Sequence, residues 1–178
     1  MSTVTTLLSS PQAVGVWKVV PSRSTIGFRA KSMWGLVPVK GTFSEFSGDG
    51  QITDTQTVFG RIDVKATSLD TKIGRRNTHL RSADFFEVET YPDISVVVTS
   101  AEGIDGDTVD LRANLTVKTT TGPLPLKAKV AGLDDGAVRV TAEATLARKE
   151  FGVEGNLMGM IPDKVTAFAD LVFERAAG

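Results

Sequence analysis

The sequence predicts an all-β domain: eight antiparallel strands, forming a barrel or a sandwich, with one short helical segment. Three observations predict it. Apolar and polar residues alternate with period two through most of the chain. Turn signals separate neighbouring runs at Gly106-Asp107, Thr121-Gly122 and Asp135-Gly136. Residues 71–92 do not alternate and leave room for a helix. Short connections and one-sided alternation indicate antiparallel pairing, and eight such strands suggest a barrel or a sandwich.

The runs follow in order. Ile26, Phe28, Ala30 and Ser32 share one phase, with Arg29 and Lys31 on the other. Val37, Val39, Gly41 and Phe43 come next, and Phe46 is then off register, which suggests a bulge. The third run is Val58, Gly60, Ile62, Val64 and Ala66 against Arg61, Asp63 and Lys65. Ile94, Val96 and Val98 make the fourth. Val109, Leu111, Ala113, Leu115 and Val117 make the fifth, within a predicted strand over 108–119. Leu124 to Val130, Val138 to Leu146 and Val165 to Phe173 complete the eight.

Composition bounds the function. The 178 residues fit one domain, read as a flexible arm over 1–14 and a single domain over 15–178. A net charge of −1 and a pI near 5.9 argue against bulk attraction to nucleic acid. There is no cysteine and one histidine, so neither thiol chemistry nor a His-rich metal site is expected. The N-terminus lacks the basic start of a secretory signal, and no run approaches the ~20 apolar residues of a membrane helix. The expected location is cytoplasmic unless a leader has been removed.

The inward phase holds many small residues: Ala30, Gly41, Gly60, Ala66, Ala113, Ala128, Ala142, Ala144, Ala167 and Ala169. A solid barrel must fill its interior with side chains. Either the interior is hollow, or the nine phenylalanines fill the gaps. A hollow of this length suits a long, thin apolar guest, since each buried CH₂ is worth ~0.8 kcal/mol. Arg148 continues the Val138–Leu146 phase. It is either paired with an acid, placed where the strand has already ended, or a cation at the barrel mouth.

The segment 75–92, RRNTHLRSADFFEVETYP, concentrates the chemistry. Leu80, Phe85, Phe86 and Val88 can form an apolar underside over a barrel end, with Arg75, Arg76 and Arg81 outside or at the rim. Asp84 could cap the turn that begins at Phe85, and Tyr91-Pro92 would end the segment. Ser82, His79 and Asp84 are triad residue types, but their local spacing predicts no triad geometry.

These stretches carry a resemblance. WKVVPSRSTIGF, through Trp17, Ser24, Ile26 and Phe28, and VKGTFSEFSG, through Gly41, Phe43, Phe46 and Gly48, resemble blocks of the YceI-like family of polyisoprenoid-binding, lipocalin-like proteins. SLDT at 68–71 and RRNTHLRSADFF resemble its most specific block, followed by YPDI and by RKEFGV at 148–153. The similarity spans roughly residues 17–175. The chain departs from the family at Asn77, where the pattern has Asp, at Lys31-Ser32, where Lys-His is common, and at Thr119, where Gly is usual.

The resemblance implies an eight-stranded antiparallel lipocalin-like β-barrel with a short helical segment over one end. It implies an isoprenoid lipid, polyprenyl or quinone type, bound in an apolar tunnel for storage or transport, with no cofactor and no catalysis, and homodimers are common in such proteins. With the inward phase, it places Phe28, Phe43, Ile62, Arg76, His79, Leu80, Phe85, Phe86, Leu115, Ala144, Arg148, Phe151 and Ala169 on the ligand. Two other classes stay open: a lipid isomerase or cyclase using His79, Asp84 and Arg148, and a ligand-free interaction module.

Overall fold

The computed structural model describes residues 13–32, 37–55, 57–83, 85–153 and 164–176. Its strands are β1 (Gly15–Val19), β2 (Thr25–Ser32), β3 (Val37–Phe43), β4 (Phe46–Ile52), β5 (Val58–Lys65), β6 (Leu69–Asp70), β7 (Asp93–Asp105), β8 (Thr108–Val117), β9 (Thr120–Gly132), β10 (Val138–Ala147) and β11 (Lys164–Arg175). The helix α1 covers Gly74–Arg81. All pairings are antiparallel between neighbours, and β1 pairs with both β4 and β11, which closes the sheet. Three of the staves are broken: β1 runs on into β2, β3 into β4 and β5 into β6. Joined this way the strands form a closed eight-stranded barrel, not a sandwich. Closure leaves no free edge.

Each break has a local cause. Between β1 and β2, Pro21 starts a single 3₁₀ turn, and Ser24 repairs the ladder there. Its hydroxyl donates to the Val20 carbonyl (2.7 Å) and accepts from the Val172 N–H (2.9 Å). Between β3 and β4, the interruption at Ser44-Glu45 resets the side-chain phase, so Phe43 and Phe46 both reach the cluster of Val64 and Leu69. The expected irregularity at Phe46 is this break.

β7 is longer than the Ile94–Val98 run suggests. Val98 pairs with Ala113 but Ser100 pairs with Arg112, so Thr99 bulges and the phase flips. Ala101 then faces Leu111. The turns at Gly106-Asp107 and Asp135-Gly136 stand where expected, with Gly106 and Gly136 at positive φ. The turn expected at Thr121-Gly122 falls instead at Lys118-Thr119, with Lys118 at φ 56°. Gly122 lies within β9, and a Cβ there would stand 3.2 Å from the Phe151 ring. Its glycine serves packing, not the turn.

Residues 1–12, Asp84 and residues 154–163 lie outside the described residues, so the arm over 1–12 and the Asp84 cap are not placed. Ala13 and Val14 are tied to the barrel: the Ala13 carbonyl accepts from the Trp17 indole (2.8 Å) and the Val14 carbonyl from Arg175 (2.7 Å).

Candidate functional site

α1 is held in place by its surroundings. It has eight residues, no acid in its first turn and no side-chain N-cap, so in isolation it would be marginal. Polar anchors supply what its own sequence lacks. The buried Asn77 accepts from the Thr71 N–H (2.8 Å) and hydroxyl (2.6 Å) through Oδ1. Its amide donates to Asp70 (3.0 Å). Arg76 donates to the Thr71 hydroxyl (2.9 Å) and carbonyl (2.7 Å), and Arg81 to the Leu69 carbonyl (2.5 Å). The Lys72 N–H and then the Asn77 amide hold the Asp70 carboxyl down to about 2. Arg76 and Arg81 are therefore anchors more than outward rim charges, whereas Arg75 is exposed.

Beneath α1 the apolar side chains divide between two packed clusters. Phe85, only 2% exposed, joins Ala113, Leu115, Val117, Leu124, Phe151 and Val153. Leu80 and Phe86 bridge this group to Phe43, Val64 and Leu69. An aromatic row runs from Phe28 to Phe43 (6.0 Å) and on to Phe86 (6.4 Å, edge-on). His79 stands edge-on to Phe85 at 5.0 Å. Lys118, at the β8–β9 turn, donates to the carbonyls of Phe85 (3.1 Å) and Gly152 (3.2 Å). One ammonium group thus ties three segments together at this end of the barrel.

Arg148 stands just past the end of β10, in a 3₁₀ turn over Arg148–Phe151. It is 6% exposed, donates to the Val153 carbonyl (2.7 Å) and sits 5.8 Å from the Phe85 ring centre. The strand has ended there, as one of the readings of its sequence position had it, and Arg148 also lines the cavity inside the barrel. Its guanidinium braces Phe85 and the 148–153 turn.

Inside the barrel lies a cavity of about 1040 Å³. Its wall is built largely of Val, Ile, Leu, Phe, Ala and Gly, and exposed residues join the lining in two places, Ile73 and Arg75 at the start of α1, and Gln51, Phe59 and Arg61 beside Gly50 and Gly60. Phe28, Phe43, Ile62, Arg76, His79, Leu80, Phe85, Phe86, Leu115, Arg148, Phe151 and Ala169 all line it. Ala144 does not; it packs against the Phe85 cluster. Of the other small inward residues, Ala30, Gly60, Ala142 and Ala167 line the cavity. Gly41 is instead covered by Phe28, whose ring stands 2.5 Å from where a Cβ would be, and Ala66, Ala113 and Ala128 are buried in packed regions. The hollow and the phenylalanine filling therefore coexist, with filling concentrated below α1.

Sequence reasoning missed several wall and support residues. Trp17, Gly50 and Ala101 line the cavity. Gly50 was legible as the inward phase of GDGQI, whereas Ala101 was hidden by the Thr99 bulge. Lys118 acts on backbone carbonyls, and Thr71 through its hydroxyl together with its N–H and carbonyl, contacts that leave no pattern in a sequence.

Comparison with known proteins agrees with this architecture. The YceI-like domain family matches residues 17–173. Protein YceI of Escherichia coli (strain UMN026) is 32% identical over 139 residues, covering 74% of this chain and 72% of its own. A UPF0312 protein of Pseudomonas aeruginosa (strain LESB58) is 33% identical with the same coverage. Among solved structures, BcnA of Burkholderia cenocepacia aligns with a TM-score of 0.79 at 19% identity, over 86% of this chain and 98% of that one. A polyisoprenoid binding domain from Saccharophagus degradans, described as implicated in plant cell wall breakdown, aligns at 0.74 with 18% identity, over 90% and 98%. The matched span runs from the first stave to the last and includes the capping segment and the cavity wall: this chain belongs to the YceI-like family.

Proposed function

We propose that this protein binds a long-chain isoprenoid lipid, polyprenyl or isoprenoid quinone in type, and carries or stores it without altering it. The observation that carries this reading is the cavity of about 1040 Å³ walled almost wholly by apolar side chains inside a closed barrel. The fold match to a structure described as a polyisoprenoid binding domain supports the choice of lipid class. At the ~30 Å³ that a water-sized group occupies, such a space houses on the order of 30 non-hydrogen atoms. At ~0.3 kcal/mol per atom for larger ligands, that amounts to roughly 9 kcal/mol, a sub-micromolar affinity. The polar groups beside the guest support binding more than catalysis. Arg76 and Arg148 already donate to Thr71 and Val153, and the His79 ring lies against Phe85.

Solvent extraction of gently purified protein, followed by mass analysis, tests the reading. One long apolar molecule per chain is expected. Added polyprenol should raise the melting temperature of delipidated protein, by ~2.7 kcal/mol of stability at 100 times Kd. An empty protein that no isoprenoid stabilises refutes a carrier, and recovery of a chemically altered lipid after incubation refutes passive storage.

A further inference from the structure

We propose that Gly50 and Gly60 are specificity-determining positions: the bare wall they share admits the distal part of the guest and sets the longest chain the cavity holds. This rests on the carrier reading above and names the residues that would tune it. The two glycines face each other across β4 and β5, and both line the cavity. Gly60 also pairs with Val98, and Gly50 with Trp17. Glycine in a strand interior weakens the strand and has no side chain to pack, so its presence calls for a cause.

Backbone conformation is not the cause. The glycines at positive φ are Gly15, Gly106, Gly136 and Gly152, among the described residues. Nor is crowding. A Cβ at Gly27, Gly41 or Gly48 would meet another atom at 2.3, 2.5 or 2.4 Å, so a side chain at any of the three forces its neighbours to move. A Cβ at Gly50 would find its nearest neighbour, the Phe59 carbonyl oxygen, at 3.4 Å. At Gly60 the nearest are the Asp49 carbonyl oxygen at 3.5 Å and the Val98 Cβ at 3.7 Å. These are ordinary contacts. A Cβ fits at both sites, on the strand phase that faces the cavity, so what its absence preserves is cavity space.

Position gives that space its meaning. Val64 belongs to the cluster that packs against Leu80 and Phe86 under the cap. Gly60 lies four residues further along the same strand, roughly 13 Å at ~3.3 Å per residue. Entry of the guest beside Ile73 and Arg75, and not beside Phe59, is part of this proposal, so that the guest reaches the glycine wall only with its far portion. A short chain stops before it. Valine at both positions adds about six carbons, roughly 180 Å³ at ~30 Å³ each, about the volume of one isoprene unit.

The test uses delipidated full-length parent, Gly50→Val, Gly60→Val, the double variant and the corresponding alanine variants. Each is offered a mixture of prenyl alcohols from geraniol to solanesol, and the retained lengths are read by extraction and mass analysis beside the melting temperature of the empty protein. The empty variants should melt at or above the parent. The longest alcohol retained by the parent should fall roughly tenfold in the double valine variant, while shorter ones are kept. An unchanged length distribution in folded variants overturns the proposal. Equal loss of all lengths also overturns it, as does failure of even the alanine variants to fold. If the parent retains no prenyl alcohol at all, the carrier reading has failed and this inference falls with it, a result distinct from an unchanged distribution.

Discussion

Phe85→Ala probes the link between the capping segment and the packed end of the barrel. Phe85 is 2% exposed among Leu115, Val117, Leu124 and Phe151. A buried phenylalanine removes roughly 150–250 Å² from water. At ~25 cal/mol per Å² that is roughly 4–6 kcal/mol, an upper bound because the unfolded chain already buries part of it. Core Phe→Ala changes cost ~3–5 kcal/mol. The Arg148 guanidinium, 5.8 Å from the ring centre and almost fully buried, would lose its aromatic partner as well. We expect a loss of about 4 kcal/mol, against a total of ~5–15 kcal/mol for a typical domain.

Phe86 is the comparison. It is half-buried, lines the cavity and meets Phe43 edge-on. Its truncation to alanine should cost about 2 kcal/mol, below the core range because the ring already faces open space. It should speed release of bound lipid more than it destabilises the fold. Phe85→Leu, which keeps most of the volume, should cost about 1.5 kcal/mol or less. The assay is urea unfolding of delipidated protein, read as midpoint at constant slope, with lipid release measured on the folded variants. A Phe85→Ala loss below about 1 kcal/mol, or no larger than that of Phe86→Ala, would refute the assignment of Phe85 to the packed core.

Other expectations follow from the same geometry. Ala169→Phe projects into the cavity and should displace lipid with little loss of stability, whereas Ala144→Phe overpacks the Phe85 cluster and should cost ~1–3 kcal/mol, both read by denaturant midpoint and bound lipid. Lys118→Met removes the donor shared by the Phe85 and Gly152 carbonyls and should cost ~1–3 kcal/mol by urea midpoint, together with faster lipid release. Because the Asp70 carboxyl is held at about 2, below its unfolded value, its contribution is complete above pH ~4 and lost as pH falls through about 2. Asn77→Asp sets a second carboxylate against Asp70, so the variant should be less stable than the parent at pH 7 and recover part of the difference near pH 5. Melting temperature against pH would show this, and a gap constant over that range would disprove the contact.

Strand pattern was legible because period-two alternation is imposed by the pleat wherever one face is buried. It gave the staves from Ile26 to Phe173, and the phase slip at Phe46 marked a real break. It failed where the chain departs from the pleat. Thr99 bulges without glycine or proline to announce it, and Thr121-Gly122 looks like a turn although Gly122 is kept small by Phe151. Most of the cavity-facing set was legible for the same reason, since inward phase and cavity lining coincide at Phe28, Ile62, Leu115 and Ala169. Ala144 shares that phase yet packs, because phase says which face a residue takes and not what stands opposite it. The resemblance marked Asn77 as a departure, standing where the family pattern has Asp. The structure buries it against Thr71 and Asp70, where a neutral amide can both accept and donate.

Closure is what turns small residues into a binding space. Two sheets of a sandwich can approach until alanine meets alanine, so small inward residues there yield a thinner core. A closed ladder cannot respond this way, because strand number and stagger fix its radius. Here β10 and β11 pair without interruption from Val138↔Phe173 to Ala147↔Lys164, and β1 locks β4 to β11. Ala142 faces Ala169 across that ladder and both line the cavity, so the space they leave cannot be recovered by moving the wall. Only larger side chains or a guest can fill it. Below α1 the chain supplies the side chains, Phe85, Phe151 and Leu124 among them. At Gly50 and Gly60 it supplies none, though both would accept a Cβ. The same ladder therefore explains a packed end that carries the cap and a hollow length beyond it, and it makes the volume available to a lipid a property of individual residues that can be changed one at a time.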